Sequence, residues 1–118
     1  IGGHVVSGHV HTTAEIYAEK EEPENNREVK LRLRDREIVK YILPKGFVAV
    51  DGCSLTVGEV DEKEGTFNVW LIPETIRATA FRVKSVGNSV NIEIESSTRA
   101  IVDTIERYME RKEKEKTG

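Results

Sequence analysis

The amino-acid sequence predicts a mainly β domain, a small closed barrel of roughly six strands followed by one α-helix. Apolar and polar residues alternate in segments such as residues 29–33 and 90–94, a pattern typical of half-buried strands. Turn signals separate these segments, and Asp51-Gly52 is the strongest of them. Apolar residues near the carboxyl end fall at helical spacing. Short strands with short connections and a single terminal helix favour a barrel.

The first part of the chain predicts two strands. Residues 4–19 form a long predicted strand with a break near Ser7-Gly8. Residues 20–26 are polar, and their proline and paired asparagines give them the chemistry of a loop. In residues 29–33, Val and Leu alternate with Lys and Arg, so this strand should have one buried face.

The middle of the chain predicts short elements separated by turns. Asp35 can cap a short helix, and the Asp51-Gly52 hairpin follows it. Residues 67–71 alternate again and predict another strand. Pro73 can begin a helical turn that runs to residue 78. Proline has no backbone N–H, and the N–H at the first position of a helix has no partner within the helix.

The end of the chain predicts the last strand and the helix. Residues 90–94 alternate Val and Ile with Asn and Glu. We therefore divide the chain into a barrel at residues 1–96 and a helix with a charged tail at residues 97–118. One stripe of this helix is apolar: Ile101, Val102, Ile105, Tyr108 and Met109.

Length and composition narrow the class of protein. A chain of 118 residues forms one domain with its own core. The net charge of −3, built from charges of both signs, argues against a nucleic-acid partner. No apolar run is long enough to cross a bilayer, and one cysteine cannot form an internal disulfide, so we expect a cytoplasmic location. The chain begins at Ile1, so we expect a piece of a longer protein.

The most informative stretch is residues 45–60. Ser54 and Thr56 lie two apart on a predicted strand, so both hydroxyls point to one face, while Leu55 points to the other. The hydroxyl pair can therefore line a pocket. Taken alone, these residues are more often ordinary strand residues, since threonine is a good strand former.

The histidines and the cysteine could carry other chemistry. His9 and His11 share a strand face and His4 lies nearby, but no third ligand for a metal is close in sequence, so we predict no metal site. Nothing near Cys53 in the sequence marks it as an activated nucleophile, so a small buried thiol is the better interpretation.

Three blocks together resemble riboflavin synthase, specifically the carboxy-terminal of its two tandem lumazine-binding barrels. The blocks are Gly-Gly-His-Val-Val-Ser-Gly-His-Val at residues 2–10, the stretch at residues 45–60 and Leu-Ile-Pro-Glu-Thr at residues 71–75. The resemblance runs from Ile1 to about Met109. It implies the six-stranded Greek-key form of the barrel and a site for 6,7-dimethyl-8-ribityllumazine or riboflavin.

The resemblance also implies roles for individual residues. Backbone groups near His9 would contact the edge of the ring, and Ser54 and Thr56 would hydrogen-bond to ring or ribityl oxygens. The family's catalytic cysteine belongs to the other barrel, at the place of Ser54. Glu95 stands where the resemblance implies an aspartate. The implied ligand-binding residues are Gly8, His9, Val10, Lys45, Ser54, Leu55, Thr56, Trp70, Leu71, Ile72, Pro73, Glu74 and Thr75, and the candidates for proton transfer are His9, Ser54 and Glu95.

The reaction that the resemblance implies is a dismutation of two lumazine molecules to riboflavin and a ribitylaminopyrimidinedione, with no metal or organic cofactor. The substrates stack between barrels of two subunits. A single barrel should therefore bind ligand and turn it over weakly or not at all. The alternatives are a non-catalytic chromophore carrier and an engineered scaffold with a vestigial pocket. The apolar stripe of the terminal helix predicts a dimer or trimer, or a helix folded onto its own barrel.

Overall fold

The computed structural model describes residues 9–117 of the chain. Gly8 and His4 lie outside this part. Residues 9–117 form one antiparallel sheet of seven strands, two α-helices and three short 3₁₀ helices. The strands are β1 (Thr12–Glu22), β2 (Asn26–Leu33), β3 (Phe47–Val50), β4 (Cys53–Thr56), β5 (Val60–Asp61), β6 (Thr66–Leu71) and β7 (Ser89–Ile94); the helices are α1 (Pro73–Ala78) and α2 (Ser96–Thr117), with 3₁₀ turns at Pro23–Asn25, Arg36–Tyr41 and Ala80–Arg82.

The sheet is curled into a half-barrel with the strand order β4-β3-β7-β1-β2-β6-β5. A mainly β fold with a carboxy-terminal helix is therefore confirmed. The sheet has seven strands where six were expected. The segment after the Asp51-Gly52 turn, which counts as one strand among the six, is divided at residues 57–59 into β4 and β5. The two outermost strands, β4 and β5, are thus consecutive in the chain.

The core fills the concave side of the sheet. Alternate residues of β2, β6 and β7 are buried there, as the apolar periodicity predicts. These residues are Val29, Leu31 and Leu33, then Phe67, Val69 and Leu71, and then Val90, Ile92 and Ile94. Phe81, which follows α1, is almost completely buried and anchors the end of that helix in the core.

Two expected connections differ in outcome. The polar loop expected at residues 20–26 is shorter than predicted: the turn is confined to Pro23–Asn25, because β1 continues to Glu22, which pairs with Asn26. Polar side chains do not prevent backbone pairing, because the exposed face of a strand accepts them. The Asp51-Gly52 hairpin is confirmed, with φ values of 46° and 81° that match a type I′ turn.

Helix α2 docks on the domain by its polar side. The hydroxyl of Tyr41 donates to the carboxylate of Asp103, and Lys40 Nζ lies 2.9 Å from Glu106 Oε1. Val102 packs against the core, whereas the rest of the apolar stripe is exposed to solvent. No helix within residues 9–117 combines the length and the apolar character that a membrane crossing needs.

Candidate functional site

A groove of about 610 Å³ lies between β4, the end of β6 and α1. This volume is within the range of small-molecule sites. Its walls are apolar and aromatic, and hydroxyls and one carboxylate project into it. The lining residues are Phe47, Cys53, Ser54, Leu55, Thr56, Trp70, Leu71, Ile72, Glu74, Thr75, Ala78 and Thr79.

Strand β4 forms the first wall. Leu55 is buried in the core, so the alternation of a strand leaves Ser54 and Thr56 on the other face. The register of the β3–β4 hairpin places Phe47 directly opposite Thr56 and Ala49 opposite Ser54. An aromatic ring therefore stands beside the hydroxyl pair.

The opposite wall forms where β6 passes into α1. Leu71 ends β6 in the core, whereas Ile72 is half exposed and precedes the helix. Pro73 occupies the first turn of α1, and Ile76 N donates to Ile72 O at 3.0 Å. This tight turn directs Glu74 and Thr75 back into the groove, while Pro73 itself is not part of the lining.

The chemistry of the groove suits a ligand with a flat ring and a polyol chain. Phe47, Trp70 and Ile72 supply apolar surface, and all three are at least 39% exposed and thus available for contact. The hydroxyls of Ser54, Thr56, Thr75 and Thr79 can both donate and accept hydrogen bonds, which is what a chain of hydroxyls needs.

Eight of the predicted site residues come together in this groove: Ser54, Leu55, Thr56, Trp70, Leu71, Ile72, Glu74 and Thr75. Lys45 is placed next to them through its backbone, since Lys45 N donates to Val57 O at 2.9 Å, but its side chain is not part of the lining. Gly8 lies outside the described residues. His9, Val10 and Glu95 lie elsewhere.

His9 lines a separate groove of about 370 Å³ near the start of α2, together with His11 and Arg99. His11 Nδ1 accepts a hydrogen bond from Ile94 N at 3.0 Å, so this histidine, which directly precedes β1, is tied to the end of β7. Burial lowers the pKa of His11, and the charge of Arg99 acts in the same direction. Val10 lies in the adjoining surface depression with Arg34.

Glu95 caps helix α2. Its carboxylate accepts hydrogen bonds from Ser97 N at 3.0 Å, from Thr98 N at 2.7 Å and from the Thr98 hydroxyl at 3.0 Å. The backbone hydrogen bond from Ser97 is the main reason why the pKa of Glu95 is lowered. A general base works best with a pKa near the operating pH, so this geometry favours a structural role for Glu95.

Four lining residues were not predicted: Phe47, Cys53, Ala78 and Thr79. Cys53 is only partly buried, and its thiol borders the groove in addition to packing against the core. The hairpin register provided a signal for Phe47, because a residue opposite Thr56 on a neighbouring strand shares its face. Ala78 and Thr79 depend on how α1 packs, which the local sequence does not indicate.

A second groove of similar size, about 660 Å³, lies over β5 and β6. Carboxylates and lysines dominate its lining, including Glu28, Glu59, Asp61 and Lys63. Flat organic ligands prefer apolar walls with a few polar groups. The groove beside β4 is therefore the better candidate site.

The fold and this groove define a small antiparallel β domain with a ligand-sized groove at the edge of its curled sheet. The sequence matches the family described as the lumazine binding domain over residues 7–95. The chain belongs to that family.

Relatives and solved structures agree with this assignment. The chain is 50% identical to riboflavin synthase of Escherichia coli (strain K12), with 96% of this chain and 52% of that protein covered. It is 47% identical to riboflavin synthase of Chlamydia pneumoniae, with 92% and 50% covered. The chain thus spans about half the length of these relatives.

Crystal structures of LumP in complex with 6,7-dimethyl-8-(1'-D-ribityl) lumazine and with riboflavin superpose on this chain with TM-scores of 0.69 and 0.68. Each shares 17% sequence identity and covers 80% of this chain, with 51% and 49% of the LumP chain covered, a likeness of fold.

Proposed function

We propose that the domain binds 6,7-dimethyl-8-ribityllumazine and riboflavin in the groove beside β4. The observation that carries this proposal is that eight residues singled out from the sequence line a single groove. The ligands of LumP in its crystal structures, and the riboflavin synthases among the relatives, support the choice of ligand.

The groove suggests how each part of the ligand is held. The ring system lies against Trp70 and Ile72, where apolar contact is available. The ribityl hydroxyls exchange hydrogen bonds with Ser54 and Thr56, and the carboxylate of Glu74 accepts from one of them. The family resemblance implies further contacts from backbone groups near Gly8, His9 and Val10 and from the side chain of Lys45. Because His9, Val10 and Lys45 do not line the groove, the ligand would have to extend beyond it to meet them.

The barrel closes as the six-stranded Greek key of the family. Two hydrogen bonds support this proposal, since Val57 N donates to Gly46 O and Gly58 N donates to Asn68 O, each at 2.8 Å. Residues 57–59 thereby bond to the chain just before β3 and to β6, which are the strands next to the outermost β4 and β5. Strands β4 and β5 then count as one bent strand that joins the two edges of the curled sheet.

Turnover needs a second barrel. The dismutation brings two lumazines together, and a single domain of this size supplies one groove. A partner barrel, or self-association to a dimer or trimer, would provide the other. Ser54 is then the proton-transfer candidate within the groove, with His9 and Glu95 contributing only across such an interface. The reaction uses no metal or organic cofactor, and the location is the cytoplasm.

A non-catalytic chromophore carrier is the second candidate. The observation that favours it is the position of Glu95, whose carboxylate is occupied in capping α2. The carrier and the enzyme share the same groove, so binding alone does not separate them.

Two measurements test these proposals. Titration of the chain with riboflavin, followed by ligand and protein fluorescence, should show saturable binding at one site per chain. Incubation with 6,7-dimethyl-8-ribityllumazine, followed by chromatography of the products, should show little or no riboflavin. Absence of saturable binding of either ligand would refute the binding site. Turnover at a rate comparable with that of a full-length riboflavin synthase would refute the need for a partner barrel of a different kind.

A further inference from the structure

Gly58 occupies a place in the structure where no side chain fits. A Cβ atom at this position would lie 2.2 Å from Asn68 Oδ1 and 2.5 Å from Trp70 Cζ3. Unlike Gly52 and Gly65, Gly58 does not have a positive φ. The requirement for glycine here is therefore one of space and not of backbone conformation.

Asn68 cannot easily move away from this contact. Its Oδ1 accepts from Glu59 N at 2.6 Å, and its Nδ2 donates to Glu28 Oε2 at 2.6 Å. The side chain is 6% exposed, so breaking these bonds would leave buried polar atoms without partners. On this side of Gly58 the neighbouring atoms are fixed.

Trp70 is the neighbour that can move. It is 53% exposed, and its ring edge rests on the backbone at Gly58. The same residue lines the proposed ligand groove. A group inserted under the ring edge would therefore tilt the ring and change the wall that faces the ligand.

We propose that Gly58 is a positioning residue, whose missing side chain lets the edge of the Trp70 ring lie against the β4–β5 connection and so shapes the ring-binding wall of the groove. This inference rests on the proposed function. It adds that a residue outside the groove lining sets the affinity for the flat ring of the ligand.

The chain contains a single tryptophan, so its fluorescence reports on Trp70 alone. Gly58→Ala should shift the emission maximum and alter acrylamide quenching of the ligand-free protein. It should also weaken riboflavin binding about tenfold, the factor that corresponds to about 1.4 kcal/mol. Gly87→Ala is the matched control: Gly87 has φ 96° and no atom within 4 Å of an added Cβ, so it strains the backbone without touching Trp70. This variant should lower the melting temperature and leave emission and affinity unchanged.

The double variant separates the two contacts of Gly58. In a Trp70→Ala background, Gly58→Ala should reduce stability further through Asn68 but should not weaken riboflavin binding further. If Gly58→Ala fails to fold and the double variant folds, the conflict with the Trp70 ring is supported. If both fail to fold, the Asn68 contact alone explains the glycine and the inference is overturned.

The remaining outcomes are also decisive. Unchanged Trp70 emission and unchanged riboflavin affinity in folded Gly58→Ala would overturn the inference. If the unmodified chain binds no riboflavin, the proposed function fails, and the emission of the ligand-free variant still decides where Gly58 places the ring: a shift supports the placement and no shift overturns it.

Discussion

The capping of α2 by Glu95 leads to a prediction about stability. Glu95→Ala removes a carboxylate that satisfies two backbone N–H groups in the first turn of the helix. Loss of an N-cap side chain costs about 0.5 to 2 kcal/mol. We expect about 1 kcal/mol, because the first turns of α2 are also held by the contact of Tyr41 with Asp103.

Urea unfolding at pH 7, followed by circular dichroism at 222 nm, measures this loss. Glu95→Asp should keep most of the stability, because aspartate is a favourable N-cap residue. Glu110→Ala is the matched control, since Glu110 is an exposed glutamate on the same helix. It should change the free energy of unfolding by less than about 0.5 kcal/mol.

The dependence on pH gives a second, independent test. The pKa of Glu95 is lowered in the folded state, so its contribution to stability is present in full above the pKa of an unfolded glutamate and is lost as the pH falls through the folded value. The difference between the unmodified chain and Glu95→Ala should therefore be largest near neutrality and shrink in acid. Equal stability of the two proteins at pH 7 would refute the capping role and would return Glu95 to the candidates for proton transfer.

Three further predictions concern the groove, the hairpin and the terminal helix. Ser54→Ala and Thr56→Val should each weaken riboflavin binding by about 1 kcal/mol or more. The control Thr104→Val, on the exposed side of α2, should leave the affinity unchanged. Unchanged affinity in both groove variants would show that this face is not part of the site. Asp51→Ala should lower the free energy of unfolding by about 1.5 to 3 kcal/mol in urea titrations. The reason is that the Asp51 carboxylate accepts hydrogen bonds from Asn91 N at 2.7 Å and from Lys84 Nζ at 2.6 Å. A loss below about 0.5 kcal/mol would contradict this role. Ile105→Glu should reduce the mass seen by light scattering at tens of micromolar, because Ile105 belongs to the exposed apolar stripe of α2; an intact chain that is monomeric under these conditions shows that the stripe does not drive association.

The local pattern of the sequence predicted most of the strands. Alternation identified β2, β6 and β7 because each has one face in the core. The Asp51-Gly52 turn was predictable because the type I′ turn needs two residues with positive φ. The division of one strand at residues 57–59 was not predictable in this way, since it depends on the close approach of β6 to Gly58.

The candidate site was predictable where the family motifs cover it and less so elsewhere. Ser54 and Thr56 followed from strand periodicity together with the resemblance. Phe47 depends on cross-strand register, which is a long-range property. The role of Glu95 had only a general local signal, since acidic residues are enriched at helix amino termini but glutamate is not among the preferred N-cap residues.

Residues 53–61 serve both the fold and the groove. Leu55 and Val57 fill the core from one face of the segment, while Ser54 and Thr56 face the groove from the other. Directly afterwards, Gly58 bonds to Asn68 and brings β6, with Trp70, alongside. Because a strand alternates its faces, the same backbone that holds the core in register also fixes the spacing of the two hydroxyls. A shift of one residue in this segment would expose Leu55 and bury Ser54. The free-energy cost of that exchange keeps the strand in register, and the register fixes the geometry of the groove.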